Sequence, residues 1–236
     1  MSNNYFQFKQ FTIHQQHCAM KVCTDACLFG AYMANEIEDH KTVLDIGSGT
    51  GLLSLLLAQK SNSQIDTVEI DAAAFDQAKE NIAQSPWKER IEIVNSDIND
   101  FDPQKKYDYI ISNPPFFEAD LKSADDKKNA AKHDSTLTLQ VLLTNIDRLL
   151  HKEGSFAVLI PFDRSNYFET AAASMHFHLA KKISVQQTPA HNFFRSILIF
   201  SRKAAPVKKE TIQIKNEQGE YSDVFRELLR EYYLYL

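Results

Sequence analysis

Residues 43–51 read VLDIGSGTG, an apolar run followed by a glycine at every second position. The apolar run predicts a buried β-strand, and the run LLSLLLAQ at residues 52–59 predicts an α-helix directly after the glycines. Glycine lets the backbone approach a ligand closely, and the free N–H groups at the start of a helix favour an anion. The spacing is not the G-x-G-x-x-G of a dinucleotide fingerprint, and the Gly-Lys-Ser/Thr of a P-loop is missing. The stretch therefore predicts the ligand-binding edge of an α/β sheet.

Predicted strands and helices alternate along most of the chain. Because these strands are apolar on both faces, we expect a mostly parallel, seven-stranded sheet with helices on both sides. Residues 179–185 and 196–201 have no helix between them, which predicts an antiparallel pair at the sheet edge. The predicted strands are 42–46, 65–70, 91–95, 107–112 and 155–161, and the predicted helices are 52–59, 72–84, 137–150 and 166–175.

The two ends of the chain are predicted to be extensions of one domain spanning residues 1–236. In the N-terminal extension, residues 1–36, alternating apolar positions predict a hairpin, and Thr24-Asp25 is a helix N-cap candidate. The core is predicted over residues 37–203. The C-terminal extension, residues 204–236, contains an alternating stretch at 211–214 and an amphipathic helix at 222–235.

Composition narrows the class of protein. The 236 residues carry a net charge of −5, so a polyanionic partner would have to meet a local basic surface. No apolar stretch reaches membrane-spanning length and no secretory signal is recognisable, so we expect a cytoplasmic protein without a membrane partner. Its three cysteines, Cys18, Cys23 and Cys27, match no zinc or redox spacing, which favours reduced thiols and no metal site. We expect a monomer.

A second motif, Asn113-Pro114-Pro115-Phe116, follows the predicted strand at 107–112. Prolines cannot continue a strand ladder, so the strand ends there and Asn113 lies at its tip. An exocyclic amine is a poor nucleophile because its lone pair is delocalised into the ring. If the Asn113 side-chain oxygen and the Pro114 carbonyl each accept one N–H, the lone pair is localised and developing positive charge is stabilised. Phe116 would stack on the nucleic-acid base that carries this amine, and Pro115 and Phe117 would line the pocket.

Acidic residues follow two further predicted strands. Glu69 ends the second one, where an acidic side chain in related folds accepts the ribose hydroxyls of a nucleotide. Asp97 follows the third predicted strand. Asp71 and Asp100 lie close to Glu69 and Asp97 in the sequence and are alternative candidates for the same ligand-binding roles. After the proline turn, residues 121–134 mix lysines and acids, which indicates either a solvated loop or a phosphate-contacting flap. Its candidate phosphate ligands are Lys127, Lys128 and Lys132.

The glycine turn, the two acids and Asn-Pro-Pro-Phe, in this order, resemble the amino-group branch of the S-adenosylmethionine-dependent methyltransferases. Similarity to the bacterial tRNA(Val) adenine-N6 methyltransferase family extends over nearly the whole chain, in residues 8–11, 18–25, 78–87, 111–116 and 216–221. The resemblance implies a Rossmann-like class I methyltransferase fold with S-adenosyl-L-methionine as cofactor. It also implies methylation of the adenosine just 3′ of the anticodon in a valine tRNA.

The resemblance also implies roles for individual residues in cofactor binding. Asp45 would lie near the methionine ammonium, Gly47, Gly49 and Gly51 would shape the turn, and Asp97 would accept from the adenine amine. The segment containing Lys21 and Thr24 resembles the one that closes over the cofactor. The sequence departs from its relatives in having Phe116 where tyrosine is also found, and Cys23 where glycine is common.

Three other functions remain open from the sequence. A ribosomal-RNA guanine-N2 methyltransferase uses the same turn on another exocyclic amine, and a protein-glutamine N5 methyltransferase uses a similar one on an amide. The protein-directed enzymes generally carry a helical N-terminal domain, for which about forty residues before the glycine turn leave little room. A catalytically silent tRNA-binding module would need neither Asn113 nor the complete glycine turn.

Overall fold

The protein was analysed as a computed structural model, which describes residues 3–18, 20–115 and 137–236. Its centre is an eight-stranded sheet in the order β10-β8-β9-β7-β6-β3-β4-β5, and a separate two-stranded hairpin is formed by β1 and β2. The strands are β1 Tyr5–Gln7, β2 Thr12–His14, β3 Thr42–Ile46, β4 Gln64–Glu69, β5 Ile91–Asn95, β6 Tyr107–Ser112, β7 Leu150–Pro161, β8 His178–Gln186, β9 Phe193–Ser201 and β10 Lys208–Gln213.

Helices cover both faces of this sheet, which confirms the predicted α/β class. Five strands form the parallel part of the sheet, in which each consecutive pair of the order β7-β6-β3-β4-β5 is parallel. Three strands begin and end at the predicted residues, because their apolar runs are bounded by polar residues on both sides. The helices are α1 Thr24–Glu36, α2 Leu52–Lys60, α3 Ala72–Ala83, α4 Leu139–Leu149, α5 Ser165–Ser174 and α6 Asp223–Leu229.

The sheet differs from the predicted one at the β10 end. It has eight strands instead of seven, and the antiparallel strand, β9, lies inside the sheet between β7 and β8. The edge is formed by β10, which pairs parallel to β8. Its first residues, Lys208–Glu210, are exposed, so the strand begins in a polar stretch that carries no apolar signal.

The bounds of α2 to α5 differ from the predicted ones by one or two residues, and larger differences are found at the start of α1 and the end of α6. Helix α1 begins at Thr24 after Cys23, with no side-chain cap, so Thr24 is not its N-cap. Asp25 instead forms an ion pair with Arg195, 2.7 Å between Oδ2 and Nε. Helix α6 ends at Leu229, whose carbonyl accepts from the N–H groups of Tyr232 and Tyr233. Both tyrosines are buried although they lie beyond the helix.

The chain ends share one hydrophobic core with the sheet. Phe8 and Ile13 from the N-terminal hairpin and Phe225 and Tyr232 from the tail belong to the same cluster as α1 and α2. The Lys9 N–H donates to the Tyr232 carbonyl at 2.8 Å. A second cluster, with α4 and α5, fills the other face. In the three described stretches, no helix is long and apolar enough to cross a membrane.

Register brings the predicted motifs to one edge of the sheet. Ile46 at the end of β3 pairs with Ser112 on β6 and with Val68 on β4. Glu69 in turn pairs with Asn95 on β5. The glycine turn, Asp97 and Asn113 follow these paired residues, and Glu69 is one of them. Because the carboxyl ends of parallel strands meet at the same edge of the sheet, these groups lie along one edge. The topology therefore assembles the candidate site.

Candidate active site

The glycine turn, residues 47–51, is shaped by three glycines with positive φ. Gly47, Gly49 and Gly51 have φ of 77°, 54° and 80°. A Cβ on Gly51 would lie 3.5 Å from the Ala78 Cβ, so this glycine packs against α3. A Cβ on Gly47 or Gly49 would meet no atom within 4 Å. At these two positions glycine allows the positive φ of the turn, and the lack of a side chain leaves open space in front of it.

Glu69 braces the turn from the end of β4. Its Oε2 accepts from the Gly49 N–H at 2.8 Å, and its Oε1 accepts from the Asp71 N–H at 3.0 Å. An ionised carboxylate has about four acceptor positions, so each oxygen can still accept from a ligand hydroxyl. Glu69 is therefore placed to shape the turn and to bind a ligand at once.

Asp45 lies beneath the turn and is fully buried. Its Oδ2 accepts from the Ser54 hydroxyl at 2.8 Å, whereas its Oδ1 has no hydrogen-bond partner in the part of the chain that the structure describes. The pKa of the Asp45 carboxyl is raised to about 7, chiefly by burial and in smaller part by the negative charge of Glu69, while the Ser54 hydrogen bond opposes the shift. A buried carboxylate of this kind favours a nearby cation, because a positive charge would restore its ionised form.

Asn113 is the polar tip of β6. Its side-chain Oδ1 is buried and has no hydrogen-bond partner within residues 3–18, 20–115 and 137–236, although the residue lines a cleft. Unpaired buried acceptors are uncommon in folded proteins because they lose hydration without compensation. The next residue, Pro114, is buried, and Pro115 is exposed and lines the same cleft. The motif therefore presents an acceptor that the described residues leave unsatisfied.

One cleft of about 830 Å³ joins these elements. This volume is within the range of about 300–1,000 Å³ that small-molecule sites occupy. Gly47, Gly49, Glu69, Asn113 and Pro115 form one part of its lining. Residues from before α1 form another part, here called the N-terminal wall, and they are Gln16, His17, Cys18 and Met20.

Asp97 lies in an adjoining apolar recess. Gly47, Ile70 and Leu137 line both this recess and the main cleft. Two hydrogen bonds from Asn99, at 2.8 and 3.0 Å, go to Asp97 Oδ1 and none of those described goes to Oδ2. The recess, of about 40 Å³, thus combines mostly apolar walls with one carboxylate at the border of the main cleft.

The rival acids have other partners or positions. Asp71 lines the cleft, but its side chain caps α3 by accepting from the Ala74 N–H at 2.8 Å. Asp100 lies in a separate depression with Asp66 and Glu92. Glu69 and Asp97 are therefore the better placed of the four candidates.

Several predicted site residues are not brought together with these groups. Lys21 and Thr24 are exposed and are not among the residues that line the cleft. The predicted base-stacking and phosphate-contacting residues lie outside the described residues, namely Phe116, Phe117, Lys127, Lys128 and Lys132.

Sequence reasoning missed several residues of the site. The hydroxyl of Ser48, within the glycine turn, is buried and has no hydrogen-bond partner in the described stretches. Its position between two glycines was the available signal. Cys18 lines the cleft, and burial raises the pKa of its thiol to about 11, helped by the charges of Glu69 and Asp71. The N-terminal wall carries no recognisable motif, because its place depends on how the hairpin packs.

A family model for the methyltransferase small domain matches residues 18–161. This range contains the glycine turn, Glu69, Asp97 and the proline motif. It therefore covers the residues that converge on the cleft.

Curated relatives match over the full length of the chain. A protein of Dyadobacter fermentans named tRNA1(Val) (adenine(37)-N6)-methyltransferase is 45% identical, with 98% of each chain covered. A protein of the same name from Bacteroides thetaiotaomicron is 41% identical over 100% of both chains. Among solved structures, a predicted O-methyltransferase from Agrobacterium tumefaciens is similar with a TM-score of 0.68 at 12% identity, covering 88% of this chain and 96% of the other. At that identity the structural match concerns the fold.

Proposed function

This chain belongs to the methyltransferase small domain family, and we propose that it transfers a methyl group from S-adenosylmethionine to the N6 amine of an adenine beside the anticodon of a valine tRNA. The observation that carries the proposal is the buried Oδ1 of Asn113, which no described residue hydrogen-bonds and which lies on the same cleft as Gly47 and Glu69. The names of the full-length relatives support the choice of substrate.

The residues of the cleft fit S-adenosylmethionine. Two polar atoms at the glycine turn, the Asp45 Oδ1 and the Ser48 hydroxyl, are left without partners by the described residues, and they match an ammonium and a carboxylate respectively. Glu69 keeps acceptor positions for the ribose hydroxyls, and Asp97 keeps Oδ2 for the adenine amine. The open space in front of Gly47 and Gly49 leaves room for the ligand backbone.

The cofactor, when bound, supplies an electrophilic methyl carbon. The protein's task is then to make a weak nucleophile attack it. Asn113 Oδ1 and the Pro114 carbonyl would each accept one N–H of the target amine, which removes the nitrogen lone pair from conjugation with the ring. The same two dipoles stabilise the positive charge that develops on nitrogen. The reaction needs no general base from the described residues, because the amine nitrogen loses its proton to solvent only after methylation has made it cationic and acidic.

We also propose how the chain is used as a whole. The extensions 1–36 and 204–236 act in one catalytic unit with residues 37–203, which is supported by the core that they share. The protein acts as a monomer in the cytoplasm, where its tRNA substrate is found. Lys21 and Thr24 are retained as cofactor ligands, and Phe116, Phe117, Lys127, Lys128 and Lys132 as RNA ligands.

The test is methyl transfer from labelled S-adenosylmethionine to tRNA, followed by nucleoside analysis. We expect N6-methyladenosine in a valine tRNA transcript and no label when that adenosine is replaced by guanosine. Formation of N2-methylguanosine, or label in protein, would overturn the proposed substrate. Retained tRNA binding without any transfer would identify a silent binding module instead.

A further inference from the structure

A single buried side-chain amide forms hydrogen bonds to two backbone segments that lead into the lining of the cleft. Asn81 on α3 is 1% exposed. Its Nδ2 donates to the Thr50 carbonyl and to the His14 carbonyl, both at 2.9 Å, and its Oδ1 accepts from the His14 N–H at 2.9 Å. Three of the four hydrogen bonds available to an asparagine side chain thus go to the backbone of two distant segments.

Both segments lead directly into the cleft. Thr50 lies between Gly49 and Gly51 in the glycine turn. His14 is the last residue of β2, and the N-terminal wall begins two residues later at Gln16. Because hydrogen bonds to a rigid helix leave little freedom for backbone groups, Asn81 limits how far either segment can move relative to the other.

The position of Asn81 on α3 supports this role. Ala78 lies three residues earlier and therefore on the same helix face, and it is the residue against which Gly51 packs. The α3 face thus contacts the glycine turn twice, once by apolar packing and once by hydrogen bonding. An apolar side chain at position 81 could provide packing alone, but it would leave buried backbone groups unsatisfied.

We propose that Asn81 is a positioning residue that holds the glycine turn and the N-terminal wall in the arrangement that binds the cofactor. The inference rests on the proposed function, since it takes S-adenosylmethionine as the ligand of the cleft. It adds a residue that touches neither the cofactor nor the reacting atoms. Its effect is on the affinity of the cleft, because an unanchored wall would have to be ordered at the moment of binding.

The experiment compares Asn81→Leu with Arg90→Met. Arg90 also donates three hydrogen bonds to backbone carbonyls, those of Ala58, Ser61 and Ser63. These carbonyls lie at the C-terminal end of α2 and just before β4, and so at the opposite end of both elements from the glycine turn and Glu69. Calorimetry would measure the Kd for S-adenosylhomocysteine, and thermal unfolding would measure the stability of each variant.

We expect Asn81→Leu to raise the Kd for S-adenosylhomocysteine at least about tenfold, which corresponds to about 1.4 kcal/mol. Arg90→Met should lower Tm comparably and change the Kd less than about twofold. An unchanged Kd in Asn81→Leu, or equal changes in both variants, would overturn the inference.

Hydrogen exchange on the wild-type protein keeps the test independent of whether Asn81→Leu folds. S-adenosylhomocysteine should protect the amides of residues 12–18 and 47–51 to the same extent, because one side chain links them. Protection of only one segment would overturn the inference. Failure of the wild-type protein to bind S-adenosylhomocysteine at all would overturn the proposed function, and this inference with it.

Discussion

The Oε2 atom of Glu69 accepts a hydrogen bond of 2.8 Å from the backbone N–H of Gly49. This bond joins the acid at the end of β4 to the glycine turn after β3, the adjacent strand. Glu69 Oε1 is bound to the Asp71 N–H, so the carboxylate is held at both oxygens before any ligand arrives. A ribose would therefore meet an acceptor that is already oriented.

Replacing Glu69 by alanine should weaken cofactor binding first. A hydrogen bond to a charged group contributes about 1.5–3 kcal/mol, so we expect the Kd for S-adenosylhomocysteine to rise about 10- to 100-fold in calorimetry. Turnover at saturating cofactor should fall much less. Glu92→Ala, which removes an exposed carboxylate from β5, is the control and should leave the Kd unchanged. A wild-type Kd in Glu69→Ala would refute the ribose assignment.

Asp45 should make stability depend on pH. Its folded-state pKa of about 7 is above its ordinary value of 3.8, so the folded protein holds this proton more tightly than the unfolded chain. Its contribution to stability is therefore complete below about pH 4 and is lost as pH rises towards 7 and beyond. An uncharged asparagine at this position does not ionise as pH rises, so Asp45→Asn should avoid that loss of stability. At pH 8 we expect the Tm of the variant to exceed that of the wild-type protein by at least about 2–4 °C.

The same substitution should oppose ligand binding. A cationic ammonium beside Asp45 would lower the pKa of its carboxyl, so cofactor binding below pH 7 should release a proton. Calorimetry in two buffers of different ionisation enthalpy measures that proton directly. Asp45→Asn should abolish the release and weaken binding about tenfold. Proton release that persists in the variant would show that another group is responsible.

Gly47 provides a test of the open space in the cleft. Alanine at this position would adopt an unfavourable positive φ, which costs about 1 kcal/mol, and its Cβ would project into the unoccupied space before the turn. Gly219 in the tail has a similar φ of 81° and equally open surroundings, so Gly219→Ala is the matched control. Both variants should lose similar stability in denaturant unfolding. Only Gly47→Ala should bind S-adenosylhomocysteine at least about tenfold more weakly, and equal affinities in both would contradict a ligand in that space.

The sequence was sufficient to predict the sheet wherever strands were apolar on both faces. Such strands as β3 and β6 are recognisable because burial on two sides requires a continuous apolar run. β10 was only partly predicted because it starts with exposed Lys208 and Lys209 and is held in place by pairing with β8, a contact between distant parts of the chain. Local patterns cannot report such pairing.

The candidate site divides in the same way. Glu69, Asp97 and Asn113 were predictable because each follows a strand, and the ends of parallel strands share one edge. Asn81 was not, because its importance comes from contacts with His14 and Thr50, which are 67 and 31 residues away. The N-terminal wall was not predicted, because an extended segment has no periodicity to show which residues face the cleft; the nearby Lys21 and Thr24 stay predicted cofactor ligands.

The most direct test of the account is single-turnover methyl transfer by Asn113→Ala, measured together with its affinity for S-adenosylhomocysteine. Removing one preorganised dipole from a transition state typically costs about 10²–10³ in rate. We expect a loss of that size with a Kd within about twofold of wild type, and partial activity in Asn113→Asp, which keeps an acceptor oxygen. Transfer at the wild-type rate in Asn113→Ala, or parallel losses of rate and affinity, would contradict the role assigned to this amide.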